Sequence, residues 1–209
     1  MLAGLFKKKK QIVFLASGRG SNLQAVLSAL QAGKIHGQAI AVISDNPQSR
    51  ALELAKDFAV RQIAIPFGEY KGNRQGFDSR LESTLDALQP DLIVTAGYMK
   101  LICGDTIQKF KNRIINIHPS LLPAFPGINS QQQALDYGVQ FTGCTAHFVD
   151  EGTDTGPIIL QSIVEIKKNM DVRELSQEIL KQEHKILPLC VKLFCEDKLI
   201  IEGRKVKIK

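Results

Sequence analysis

Cysteine is scarce and badly spaced for chemistry. The 209 residues hold four, Cys103, Cys144, Cys190 and Cys195, and no two form a C-x-x-C pair. That argues against a zinc site or a disulfide framework, and no metal is expected; the thiols read as small buried hydrophobes in a reducing compartment. Long apolar runs are missing as well. The apolar segment behind the N-terminal lysines, Ile12 to Ala16, is too short for a signal peptide or a membrane span. The chain therefore reads as cytoplasmic, with no membrane partner. There is no internal repeat and no interdomain linker. The body also lacks a charge excess that would draw nucleic acid. Eight of the 27 basic residues sit in Lys7–Lys10 and in Arg204, Lys205, Lys207 and Lys209, runs without an acid. From Gln11 to Gly203 the remaining 19 basic residues face 21 acidic ones, so the overall +6 belongs to the tails, which read as solvated ends.

What is present is an alternation of strands and helices. Gln11–Ser17 is a continuous apolar run with β-branched residues, the signature of a buried parallel strand. A glycine turn follows, then Leu23, Val26, Leu27 and Leu30 on one helical face, with Ser21 or Asn22 as cap. Strands are expected at 38–44, 62–65 and 91–96, helices at 49–59 and 77–88, and a polar loop at 68–76. Ser130–Tyr137 reads as a short helix closed by Gly138. Thr142–Val149 and Pro157–Ile166 read as an antiparallel pair, and Asp171 as the cap of a long helix to about Cys195. The fold class expected is α/β: a Rossmann-like, mostly parallel sheet with helices on both faces and an antiparallel C-terminal portion. The expected organisation is a basic disordered lead over 1–10, one domain over 11–197, and a hairpin or tail over 198–209.

Two stretches carry chemistry. In Ser17-Gly18-Arg19-Gly20-Ser21-Asn22, a strand, a glycine turn and a helix N-terminus make a cradle for a phosphate ester. Leu23 stands where a dinucleotide fingerprint needs its third glycine, and a Walker lysine is absent, so a nicotinamide cofactor or a nucleoside triphosphate is not indicated. A turn serving only chain reversal fits this segment equally well. The second stretch, Ile114 to Gly127, begins as a strand and ends as a proline-stiffened loop. Asn116 and His118 are two apart and project to one side, at the strand end where open α/β sheets bind ligands. Asn116 offers an oxyanion donor and His118 a proton carrier. Asp154, in a loop with glycines at 152 and 156, is a third candidate, with a plain turn aspartate as the alternative. A carboxylate near His118 is expected to raise the histidine pKa above roughly 6.5.

These residues fall in motifs that resemble the phosphoribosylglycinamide formyltransferase family: S-G-R-G-S-N-L-Q-A (17–25), A-G-Y-M-K-L-I (96–102), N-I-H-P-S-L-L-P-A-F-P-G (116–127), H-F-V-D-E-G-T-D-T-G-P-I-I-L-Q (147–161) and Q-E-H-K-I-L-P (182–188). The resemblance runs from Ile12 to about Ile201. It implies formyl transfer from 10-formyltetrahydrofolate to the amine of glycinamide ribonucleotide, with Asn116, His118 and Asp154 catalytic. It assigns Gly20, Ser21, Asn22 and Glu183 to the ribonucleotide, and Arg74, Met99, Lys100, Leu101, Ile102 and Asn116 to the folate. Met99, Leu101 and Ile102 could equally be core, Lys100 a solvated charge, and Glu183 an ordinary exposed helix residue. His147 matches a position behind the reacting groups. Two departures stand out: Lys100 where the family often has arginine, and Asn129–Gln132 where it often has histidines. Rival readings are a formyltetrahydrofolate hydrolase or a methionyl-tRNA formyltransferase, each expected to carry an extra domain, and a non-catalytic phosphate- or folate-binding module.

Overall fold

Ile12 and Phe14 face one hydrophobic core, Val13 and Leu15 another. Strand β1 (Lys10–Leu15) is thus covered on both sides, which is why its sequence is apolar throughout. The computed structural model describes residues 8–209. In it β1 pairs in parallel with β2 (Gly37–Ser44), and β2 with β3 (Arg61–Ala64). On its other side β1 pairs in parallel with β4 (Leu92–Thr95), which leads to β5 (Ile114–His118). The sheet then turns antiparallel through β6 (Phe141–Phe148) and β7 (Ile158–Glu165). The hairpin of β8 (Leu199–Glu202) and β9 (Lys205–Ile208) completes nine strands in the order β3-β2-β1-β4-β5-β6-β7-β9-β8. Ile158 pairs with Lys205, so the C-terminal segment is a hairpin joined to the sheet and not a frayed tail.

Helices α1 (Ser21–Gln31) and α2 (Arg50–Asp57) pack on the Ile12/Phe14 face. The other face takes α3 (Arg74–Leu88) through Phe77, Leu81 and Leu85, and α4 (Gly104–Lys109) through Ile107. The short α5 (Ser130–Tyr137) ends at Gly138, in the left-handed region that glycine adopts freely. The 24-residue α6 (Val172–Cys195) returns to the first face and buries Leu175, Ile179, Leu187 and Val191. Its start is a capping box: Asp171 accepts from the Glu174 N–H at 2.8 Å, and Glu174 accepts from the Asp171 N–H at 3.0 Å. Among the described residues no helix is long and apolar enough to cross a membrane.

Three expectations need correction, and one element was not foreseen. The lead over 1–10 lies mostly outside the described residues, but Lys10 already belongs to β1, where its ammonium lies 3.3 Å from Asp197. The polar loop at 68–76 is shorter than expected. A 3₁₀ turn fills Phe67–Tyr70, and α3 starts at Arg74 because the Asn73 side chain accepts from the Gly76 N–H and caps it. Helix α4 was not anticipated; its six residues are too few for a period to stand out. The N-cap of α1 is Gly20, not Ser21 or Asn22, and no side chain caps the helix.

Candidate active site

Strand order reverses between β1 and β4, and the loops after their carboxyl ends meet there. The Ser17 N–H donates to the Gly97 carbonyl at 3.1 Å, and the Met99 N–H to Ser17 Oγ at 2.8 Å. Gly20 holds φ +72°, and a Cβ there would lie 2.9 Å from Leu54 Cδ1, so both backbone conformation and space demand glycine. With no side-chain cap and no acid in the first turn, the first N–H groups of α1 are left to an outside acceptor.

The three chemical candidates form one connected set. Asn116 pairs across β5–β6 with His147. Asn116 Nδ2 donates to His147 Nε2 at 3.1 Å, while its Oδ1 accepts from Thr95 Oγ1 at 2.6 Å. His147 Nδ1 donates in turn to the Phe148 carbonyl at 2.9 Å. Asp154 Oδ1 lies 3.6 Å from His147 Nε2, and Asp154 Oδ2 lies 3.2 Å from His118 Nδ1. The Gly127 N–H anchors Asp154 Oδ2 at 2.8 Å, tying the 150–156 loop to the end of the proline-rich stretch. His118 Nε2 lies 2.9 Å from the Phe125 carbonyl.

Electrostatics overturn one expectation. Burial lowers the His118 pKa below its ordinary value; the Phe125 carbonyl and the Asp154 charge pull upward and burial prevails. So His118 rests neutral at neutral pH. Desolvation works to raise Asp154, but contact with His147, the Gly127 N–H and the charge that His118 takes on in acid outweigh it, and its pKa is lowered.

The cleft beside this set has a volume of about 200 Å³ and is lined in part by Thr95, Tyr98, Lys100, Ile102, Asn116, His147 and Asp154. His118, 3.2 Å from Asp154, does not line it. A larger cavity of about 580 Å³ lies on the other side of the 150–156 loop, against α4 and the C-terminal hairpin, and holds none of the three candidates.

Glu183 is not an exposed helix residue. It is 7% exposed, and Oε2 accepts from Asn22 Nδ2 at 2.7 Å. Burial raises its pKa; the Asn22 bond offsets that only in part. Asn22 Oδ1 beside it is buried without a partner. A buried acceptor without a donor and a buried carboxyl therefore stand together at the first turn of α1, a setting that suits hydroxyl or amine donors. Met99 and Leu101 are 74% and 69% exposed, which rules out the core alternative for both, whereas Ile102 packs partly against the α3 side. Arg74 binds both oxygens of Asp78 through Nε at 2.8 Å and donates to the Leu101 carbonyl, bracing the 97–103 loop. Lys100 is not simply solvated: its ammonium lies 4.2 Å above the Phe67 ring and 3.8 Å from Asp45.

The family described as formyl transferase matches residues 10–191. Phosphoribosylglycinamide formyltransferase of Bacillus subtilis (strain 168) is 40% identical over 183 residues, covering 88% of this chain and 93% of its own. The chain belongs to the phosphoribosylglycinamide formyltransferase family. A solved structure titled glycinamide ribonucleotide transformylase 1, from Symbiobacterium toebii, superposes with TM-score 0.93 at 45% identity, covering 97% of this chain and 95% of that one. The human trifunctional purine biosynthetic protein adenosine-3 is 40% identical over 187 residues, 90% of this chain, but the chain spans only 18% of its length.

In this chain the Asn129–Gln132 departure has a local structural role. Asn129 takes the left-handed conformation at the start of α5, and Gln132 donates to Asp136 at 2.7 Å. Sequence reasoning missed Thr95, Phe125 and Gly127. The last two act through backbone groups that side-chain motifs do not reveal, and Thr95 meets Asn116 through a parallel register that sequence does not state.

Proposed function

We propose that this chain transfers the formyl group of 10-formyltetrahydrofolate to the amine of glycinamide ribonucleotide, giving N-formylglycinamide ribonucleotide and tetrahydrofolate in purine synthesis, and that it does so in the cytoplasm. The observation that carries this reading is the continuous set Asn116–His147–Asp154–His118, with an uncapped helix N-terminus at the same carboxyl edge of the parallel strands. The phosphate fits the first turn of α1 at Gly20, Ser21 and Asn22, and the ribose or amine end fits Glu183. Lys100, Leu101 and Ile102 line the cleft, Met99 precedes them and Arg74 donates to the Leu101 carbonyl; together they suit the folate, whose ring needs both apolar contact and edge hydrogen bonds.

The transfer is direct. Among the described residues neither His118 nor His147 bonds a hydroxyl or thiol, so no nucleophile–base pair is formed. The neutral amine adds to the formyl carbon, and the carbonyl oxygen takes up negative charge. Asn116 gives one Nδ2 hydrogen to His147 and keeps the other for that oxyanion. A proton must leave the attacking nitrogen and reach the folate nitrogen as its bond to the formyl carbon breaks. His118 and Asp154 carry it. A neutral His118 has one N–H for two facing acceptors, Asp154 and the Phe125 carbonyl; proton uptake satisfies both. The imidazole is therefore a receiver of the proton as the amine attacks and its donor as the folate leaves.

The test is purified protein with 10-formyltetrahydrofolate, with and without glycinamide ribonucleotide. Turnover that requires the amine is expected. Formate release without it would make the protein a hydrolase, and binding of both ligands without turnover would make it a binding module.

A further inference from the structure

An oxyanion donor works only if its carboxamide is held the right way round. Nitrogen and oxygen are nearly the same size, so packing alone does not distinguish them; hydrogen bonds do. In this site two groups read the Asn116 amide. His147 faces Nδ2: its Nδ1 donates to the Phe148 carbonyl at 2.9 Å, and its Nε2 lies 3.1 Å from Asn116 Nδ2. That contact is shared, because Nε2 also has Asp154 Oδ1 at 3.6 Å. The other group is Thr95. It is 5% exposed, lies directly across the β4–β5 register from Asn116, and its hydroxyl approaches Asn116 Oδ1 at 2.6 Å. Among the described residues the other acceptor recorded for Oγ1 is the Ile115 carbonyl at 3.3 Å, a poorer partner by distance.

We propose that Thr95 is a positioning residue: its hydroxyl donates to Asn116 Oδ1 and so keeps an Nδ2 hydrogen facing the cleft. The inference rests on the formyl-transfer reading. Thr95 lies outside the residues that motif reasoning selects, and it acts through Asn116.

Thr95→Val removes the hydroxyl at nearly constant volume. Asn116 then depends on His147 alone, and kcat is expected to fall about tenfold, the scale of one net hydrogen bond. KM for both substrates should stay within about twofold, since no ligand contact is assigned to the hydroxyl. Thr95→Ser, which keeps the hydroxyl, should restore most of kcat. If the valine chain does not fold, Thr95→Ala against Thr95→Ser gives the same comparison, with a hydroxyl as the difference. The Asn116 side-chain NH₂ resonances in ¹H–¹⁵N spectra supply a readout without turnover: they should move in the valine or alanine chain and hold in the serine chain. The proposal is overturned if the hydroxyl-free variants keep kcat within about twofold, if serine loses as much as alanine, if KM rises in step with the loss, or if the resonances do not discriminate. An inactive wild-type chain would instead defeat the formyl-transfer reading, and the NMR comparison would still decide the amide lock.

Discussion

Replacing Glu183 by glutamine should make the protein more stable and a worse enzyme. Its carboxylate is 7% exposed, has one hydrogen bond from Asn22 and, among the described residues, no ion pair. A charge so placed costs desolvation energy that one neutral N–H does not return, and its pKa is raised accordingly. Glu183→Gln removes the charge, keeps an acceptor for Asn22 Nδ2, and brings an N–H into a pocket where Asn22 Oδ1 lacks a partner. Removing one such mismatch is worth on the order of 1 kcal/mol, or about 2–4 °C in Tm for a chain of this length. The pH dependence has a definite sign. With the folded pKa above the unfolded value of about 4.3, the wild-type chain bears no penalty when both states are protonated. It loses stability as pH rises from there through the folded pKa, then levels off. The melting difference between variant and wild type should thus be near zero toward pH 4, open with pH and become constant. Calorimetric melts across pH 4–8 read this directly, and kcat/KM for glycinamide ribonucleotide should drop at least about tenfold, chiefly through KM. A variant less stable than wild type at pH 8, or a gap that ignores pH, would refute the reasoning.

Asp154→Asn should cut kcat by about 10²–10⁴ while leaving KM within a few-fold, measured by steady-state kinetics, because the proton carrier loses its partner. The same substitution should blunt acid sensitivity. The lowered Asp154 pKa stabilises the fold above about pH 3.9 and that contribution is lost as pH falls through the folded value, so wild type and variant should converge in melts below that window. His118, also lowered, adds a second acid limb. Its contribution is complete above about pH 6.5 and declines as pH falls below it, and His118→Ala should remove that slope along with most of the turnover. Gly20→Ala should lower stability by about 1–3 kcal/mol in denaturant titrations, since φ +72° and the Leu54 contact at 2.9 Å both resist a Cβ, and it should weaken ribonucleotide binding as the α1 start shifts.

The sequence revealed what is periodic or punctuated. The buried strand at β1, the antiparallel β6–β7 pair, the glycine stop of α5 and the Asp171 cap all carry local signals, and each appears within a residue or two of the expected place. Asn116 and His118 were legible because a two-residue spacing on a strand fixes their common side. What stayed hidden depends on pairing between distant segments or on the cost of removing water. Thr95 and Asn116 are 21 residues apart and meet only because β4 and β5 align in one particular register.

The direction of the His118 shift was misjudged for the second reason. A nearby carboxylate is a correct inference from the motifs, and Asp154 does stand 3.2 Å away, but no motif states how little solvent reaches the ring. Burial then outweighs the carboxylate, and the imidazole rests neutral where a charged one was expected. That correction changes the chemistry as well as the charge. A histidine protonated from the outset could only donate to the substrate, whereas a neutral one can first accept the proton of the attacking amine. In the proposed mechanism, transfer between two nitrogens requires both acts in sequence, so the burial that defeats the simple electrostatic argument also suits His118 to the role proposed for it.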